Sequence, residues 1–487
     1  MKKILYGILT IVLLFLLPSC EKFTDITPKG KNLLQNVSDL ESVLNFNFTL
    51  NGSVQVGSAA AKTTAEDAFA FDDVNVLIDD TYPYLQNVST VINAPTKTLD
   101  FTLLTSNETI DRKTLAVTDI KYSKLYFIIN NVANAVISNA DNAVGDRSKA
   151  NQFKAEAYIL RAYFHYMLVN FYAKAYNPAT ASTDGGIPYV KEDNIISEAN
   201  VKSTVAEVYT NIVADIDAAL QLNSLPKTNV NSMRVGLGFA YAVKAKVLLS
   251  MRKYEDALAA ANLSLGINNT IEDHRTYAPV GTVPFSKVPT AVGENLFYAS
   301  GATSGPSFRA ISLEITNNYY EPGNMINKYV QPYYPGGGAA IYGVSGAQVW
   351  LSFVYAINSG GLTSIDSYLV KAECLARTGP QQNINSAMDI INSIRQKRNH
   401  PTGYTALTAT TEQQAMVYLK KLSRTEFLYT FKNYLNIKRW NTEDAYKETI
   451  GKTINGVSYQ LKPESPLWIF PFPQNATSYN PNLTQNY

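Results

Sequence analysis

Apolar positions recur at helical spacing in several stretches of the chain and lose that spacing between them. In RVGLGFAYAVKAKVLLSMRKYEDALAAANLSLG, residues 234–266, the first half is rich in Ala, Val and Leu. Arg252-Lys253-Tyr254 then makes a short turn. Tyr254, Ala257 and Ala261 follow at i, i+3 and i+7, on one face of a second helix. Small alanines on that face let two helices approach closely. SYLVKAECLARTGPQQNINSAMDIINSIRQKRN, residues 367–399, has the same design: a helix, a Thr-Gly-Pro break, then Ala387, Ile390, Ile391 and Ile394 on one face. A looser pair joins RSKANQFKAEAYILRAYFHYMLVNFYAKAY to TVAEVYTNIVADIDAALQLN. A fourth joins SDLESVLNFNF to DIKYSKLYFIINNVANAVISNAD.

The pattern predicts a mostly α protein. The pairs resemble tetratricopeptide-type helix pairs, whose period is about 34 residues. They are expected at about 38–143, 146–222, 234–266 and 364–399. A helical-repeat scaffold buries its core by stacking neighbours, so residues 37–487 are expected to form one domain. Two insertions, at about 51–113 and 267–363, are irregular and are expected to build a second lobe. Residues 281–348 are rich in Pro, Gly and Tyr and show no sustained helical period. The ending ESPLWIFPFPQNATSYNPNLTQNY carries four prolines, which block regular hydrogen bonding.

The N-terminus has a different pattern. Lys2 and Lys3 precede 14 residues, 4–17, that are almost wholly apolar. A bilayer-spanning helix needs about 20 apolar residues. A basic start, a short apolar run and a small residue before a cut site describe a secretory signal, here residues 1–19. Residues 20–36 contain EKFTDITPKGKN and are expected to be an extended tether.

Composition narrows the chemistry. The chain carries 42 Lys and Arg against 40 Asp and Glu, and with Lys2 and Lys3 removed the two counts are equal. A neutral chain offers no electrostatic footprint for nucleic acid. Charged residues are 17%, below the usual ~25%. The chain carries 32 tyrosines, and such a surface suits uncharged polar ligands or protein partners. Enzymatic signatures are missing: there is no Gly-x-Ser-x-Gly elbow, P-loop or His-Glu-x-x-His. GLGFAY is a broken glycine pattern inside a helical stretch. The three histidines, His165, His274 and His400, are expected to be structural or solvated. Cys374 sits in an apolar helical stretch and is expected to be a small buried hydrophobe. Glu66, Asp67, Asp72, Asp73, Asp79 and Asp80 cluster in sequence and are expected to be solvated loop acids or helix caps. A minor alternative is hydrogen bonding to ligand hydroxyls or a bound cation. No cofactor is expected.

Several stretches together carry a family resemblance. Leu17-Pro18-Ser19-Cys20 resembles the lipobox of bacterial lipoproteins, which implies that Cys20 becomes a lipidated N-terminus. SCEKFTDITP, AEAYILRAYFHYMLVNFYAKAY…GGIPYV, LSRTEFLYTFKNYLNIKRW and LWIFPFPQNATSYNPNLTQNY resemble, in that order, four segments of the SusD/RagB family of outer-membrane nutrient-binding lipoproteins. Departures are confined to the Arg-Trp helix and the end. Leu422, Ser423, Thr430, Phe431 and Asn436 stand where family members usually carry charged residues or glycine, and no Pro-Gly precedes Tyr487. They put a family-typical salt-bridge pattern in doubt, not the fold.

The resemblance implies a lipid-anchored, non-catalytic protein on the outer membrane, facing outward. It would bind a glycan or a peptide and deliver it to a SusC-like TonB-dependent transporter. Aromatic rings suit sugar faces, so the ligand candidates are Tyr82, Tyr84, Tyr319, Tyr320, Tyr333, Tyr334 and Trp350. Trp440 and Trp468 lie in family-typical structural motifs and are expected to be packed. A lipid-anchored scaffold that binds only proteins remains an alternative.

Overall fold

Helix starts are encoded in side chains that take up otherwise orphaned amides. The Asp146 carboxylate accepts hydrogen bonds from the Ser148 and Lys149 amides at 2.8 and 3.3 Å. The helix Arg147–Tyr172 follows. Thr204 and Glu207 form a reciprocal capping box ahead of Val205–Gln221. The Glu207 amide donates to Thr204 Oγ1 at 3.2 Å, and the Thr204 amide donates to the Glu207 carboxylate at 2.8 Å. Thr204→Ala should therefore cost about 1 kcal/mol, read as a lower urea midpoint, while Thr204→Ser should retain most of it.

The computed structural model describes residues 34–48, 69–194, 198–277, 293–300, 309–327, 336–349 and 357–487. They are mostly helical. In chain order the main helices are α1 (Val37–Leu44), α2 (Asp72–Leu77), α3 (Ile120–Ile128), α4 (Ala135–Ala140), α5 (Arg147–Tyr172), α6 (Val205–Gln221), α7 (Leu237–Ser250), α8 (Tyr254–Ile267), α9 (Ser364–Arg377), α10 (Gln381–Arg398), α11 (Glu412–Glu426) and α12 (Lys432–Trp440). A π-helical segment, Ile129–Asn134, joins α3 to α4. Helix α5 packs on α6, α7 on α8, α8 on α9, and α9 on α10. Helix α1 packs on both α4 and α5. The described strands form three antiparallel pairs: β1 (Asn295–Phe297) with β4 (Leu362–Thr363), β2 (Ala310–Ile311) with β3 (Gln348–Val349), and β5 (Ile450–Ile454) with β6 (Val457–Leu461). Asn455 and Gly456 turn the last hairpin with φ of 52° and 78°, the left-handed geometry that an Asn-Gly turn supplies.

One apolar core runs through the helices, with Phe164, Phe239, Phe297, Tyr434 and Trp440 among its buried residues. Trp468 is buried as expected, and so is Cys374. Buried ion pairs stitch the helices across this core. Glu373 on α9 takes two 2.7 Å hydrogen bonds from Arg439 on α12, one of 2.9 Å from Arg377 and one of 3.1 Å from Trp440 Nε1. Asp366 holds Lys246 at 3.0 Å and Lys432 at 2.7 Å. Glu156 on α5 holds Arg234 at 2.7 Å. Two of the residues that depart from the family pattern satisfy each other: Asn436 donates to Ser423 Oγ at 3.2 Å.

Candidate functional site

The two irregular segments meet along a seam. The Tyr82 amide donates to the Ala310 carbonyl at 3.0 Å, and the Ser312 amide donates to the Asp80 carbonyl at 3.0 Å. Ser312 Oγ adds a 2.7 Å bond to the Asp79 carbonyl. Residues 79–82 thus lie alongside 310–312, and β3 covers the other edge of β2. Two arginines lock the seam. Arg309 grips Asp72, at the first turn of α2, with bonds of 2.6 and 2.9 Å. Arg424, in the last turn of α11, holds Asp80 at 2.6 Å and donates to the Ile78 carbonyl at 3.0 Å. Asn433 takes the other Asp80 oxygen at 3.0 Å.

Four of the tyrosines named from the sequence gather here. Tyr84 lies under the Arg309 guanidinium, 4.4 Å from its ring centroid, and Tyr319 lies 4.8 Å from Arg424. Tyr319 and Tyr320 pack half-buried against Ile311, Ile315, Ile326, Leu428 and Tyr429. Tyr82 is only 5% exposed; its hydroxyl accepts from the Leu313 amide at 3.4 Å and its ring sits 6.4 Å from Tyr342. It forms the floor of the seam. Tyr342 in turn accepts from the Leu85 amide at 3.1 Å. Cys20, Tyr333, Tyr334 and Trp350 lie outside the described residues.

The expectation of solvated acids fails for the described part of the carboxylate run. Asp72 and Asp73 do stand in the first turn of α2, but Asp72 pairs with Arg309 and Asp73 with Lys121. Asp80 is fully buried. These acids are structural ties, because each sits opposite a cation that the fold brings from far away. Asp79 differs. It is 7% exposed, and its carboxylate accepts no hydrogen bond from the described residues. Burial pushes its carboxyl up to about 7, against the pull of Lys452 and Arg424. Lys452 on β5 spends its ammonium on the Val76 and Leu103 carbonyls, at 2.8 and 2.9 Å.

Three of the seven described non-glycine residues with a left-handed backbone lie here. Asp79, Leu85 and Tyr429 hold φ of 61°, 52° and 66°, a left-handed geometry that costs such residues free energy and clusters at functional sites. Tyr320 and Tyr429 also line a cavity of about 100 Å³ with Asn324, Glu294 and Arg398. Ligand pockets usually hold at least ~300 Å³, so this cavity suits a single substituent or water and not a sugar ring. His165 lies elsewhere, inside α5. Its Nδ1 donates to the Arg161 carbonyl at 2.9 Å and its Nε2 accepts from the Val190 amide at 3.0 Å. Burial pushes its pKa down to about 3, so the ring is neutral and structural. Among the described residues no three His, Cys, Asp or Glu side chains converge where a metal ion could sit.

Sequence reasoning missed Arg309 and Arg424 at the seam. Nothing local marks them, since their acidic partners stand 237 and 344 positions away. Tyr342 and Tyr429 were equally available in the tyrosine count but sit outside the paired-tyrosine pattern.

Comparison with known proteins places these features in a family. Residues 56–249 match a family model described as starch-binding, associating with outer membrane, and residues 364–487 match the model of the SusD family. SusD-like protein P2 of Formosa agariphila is 31% identical over 153 residues, 30% of this chain. The match spans 26%, about a quarter, of that relative's own length. Among solved structures, a SusD superfamily protein of Bacteroides thetaiotaomicron aligns over 93% of this chain and 100% of its own, with a TM-score of 0.66 at 16% identity. A SusD-like carbohydrate binding protein of Bacteroides vulgatus aligns over 93% and 98%, with a TM-score of 0.65 at 16% identity. At these identities the likeness establishes the fold.

Proposed function

Because this chain belongs to the SusD/RagB family, we propose that it is a carbohydrate-binding surface lipoprotein that captures a glycan along the seam and passes it to a SusC-like TonB-dependent outer-membrane transporter. The observation that carries the binding site is the convergence of Tyr84, Tyr319 and Tyr320 on the junction of the two irregular segments. Their rings offer flat apolar faces for sugar C–H groups, at little cost in side-chain entropy. Tyr82 supports them from below, and Tyr333, Tyr334 and Trp350 are kept as further ligand candidates on residue type alone. In this proposal residues 37–487 act as one domain on a tetratricopeptide-like scaffold, with 20–36 as the tether.

The protein binds and does not cleave. At the seam Asp72 and Asp80 are held by Arg309 and Arg424, so neither of these two is free to act as a general acid or nucleophile. In this proposal lipid on Cys20 supplies the anchor, and the outer-membrane placement follows from the family. Among the described residues no helix is long and apolar enough to cross a membrane. Two acyl chains hold a protein stably on a bilayer, at about 0.8 kcal/mol per buried methylene.

The test is calorimetric binding of the full chain, purified in detergent, to soluble α-glucan, β-glucan, xylan and mannan oligosaccharides and to a peptide panel. The double variant Tyr319→Ala/Tyr320→Ala should weaken a glycan hit at least about tenfold while unfolding stays cooperative. A peptide hit with no glycan hit would replace the glycan by a peptide. Unchanged affinity in the double variant would remove the seam from the site.

A further inference from the structure

Asp79 is the buried acid of the seam that the fold does not use. Its neighbours on α11 and β5 carry donors, but all are turned elsewhere. Arg424 serves Asp80 and the Ile78 carbonyl, and Lys452 serves two carbonyls. Ser312 reaches the Asp79 backbone oxygen and not its carboxylate. The residue is held left-handed, with φ of 61°, a geometry that aspartate adopts more readily than most residues. A buried carboxylate without a donor costs free energy. A fold that keeps one on the seam, near the Tyr82 ring, has left an acceptor for something that arrives from outside.

We propose that the Asp79 carboxylate accepts a hydrogen bond from a hydroxyl group of the bound saccharide, so that capture selects a ligand hydroxyl and is linked to proton release. This rests on the seam being the ligand site. The charged and titratable groups facing Asp79 are Lys452 from β5, Arg424 from α11, Glu314 beyond β2, and Asp80 and Tyr82 on its own segment. Arg424 keeps its charge throughout. Lys452 titrates nearby, since burial pulls its ammonium down to about 8. A hydroxyl donor prefers the ionised acid, because a charge-assisted hydrogen bond is about twice as strong as a neutral one. Binding therefore strengthens as pH rises through the range where free Asp79 loses its proton, and weakens in acid.

The experiment is calorimetry with the full chain and the tightest-binding oligosaccharide of the panel, from pH 5.5 to 8.5, for the native protein and Asp79→Asn. The native protein should bind about tenfold more tightly at pH 8 than at pH 6. Asp79→Asn should lose that slope and bind about tenfold more weakly at pH 8. Its thermal midpoint at pH 8 should be unchanged or higher, because a buried charge without a donor has been removed. Parallel pH profiles, or full affinity in Asp79→Asn, would overturn the proposal while leaving the seam intact if Tyr319→Ala/Tyr320→Ala still loses binding. A lower thermal midpoint with unaltered affinity would make Asp79 structural and overturn it equally. No binding by any saccharide, or no effect of the tyrosine variant, would overturn the seam as a glycan site, and this proposal with it.

Discussion

Glu373→Ala should lower the free energy of unfolding by about 3–5 kcal/mol, seen as a large fall in urea midpoint at pH 7. The reason is what the substitution leaves behind. Arg439 and Arg377 are both buried, and Trp440 Nε1 points at the same carboxylate. Removing the acid strands the Arg439 guanidinium away from water at the junction of α9 and α12, while Arg377 keeps its paired bonds of 2.9 and 3.2 Å to Glu443. Burial by itself would raise the Glu373 carboxyl; Arg439 and Arg377 outweigh it and hold it down at about 2. Its folded value lies below its unfolded value of 4.5. The stabilisation is therefore complete above about pH 4.5 and is lost as pH falls through about 2. Glu373→Gln should lose less than the alanine variant and show a flatter acid limb. If Glu373→Ala costs under about 1 kcal/mol, water reaches the arginines and the cluster is not the tie described.

Arg424→Ala should cost a similar ~3–5 kcal/mol and should also reduce ligand affinity, which Glu373→Ala should not do at conditions where it stays folded. Asp80 has no exposure, and Arg424 is the cation that neutralises it. The same guanidinium fixes the Ile78 carbonyl and lies over Tyr319. Loss of Arg424 thus uncovers a buried charge and frees a wall of the seam in one step. Arg424→Lys should recover little, because an ammonium cannot reach the carboxylate, the carbonyl and the ring face together. The double replacement Asp80→Asn/Arg424→Met should be less harmful than Arg424→Ala, since it leaves no unpaired charge. A strictly additive cycle would mean that the two groups do not act as a pair.

The helical class was legible in the sequence because its signal is local. Ala257 and Ala261 lie four apart and are both fully buried, as their shared face requires. The hairpin at residues 450–461 was missed although its Asn-Gly turn stands in the sequence between two short alternating runs. The site was legible by residue type and not by role. Tyrosine pairs pointed to the segments that meet, but exposure follows from packing partners far away in the chain, which is why Tyr82 turned inward against Tyr342. The acids were misread for the same reason. Composition shows that a carboxylate exists, and only the fold shows which cation stands opposite it.

The seam's fastenings also set an order of events. Asp80 waits for Arg424, the Val76 carbonyl for Lys452, and Arg112 for the carbonyls of Pro466 and Ile469. The separations are 344, 376, 354 and 357 residues. Closing loops of that length is slow, and native contacts of high sequence separation form late. The first third of the chain can coil into helices as it is made, but it cannot settle until the last sixty or so residues arrive. Loss of the C-terminal tail should therefore unseat the beginning of the chain, not merely its end.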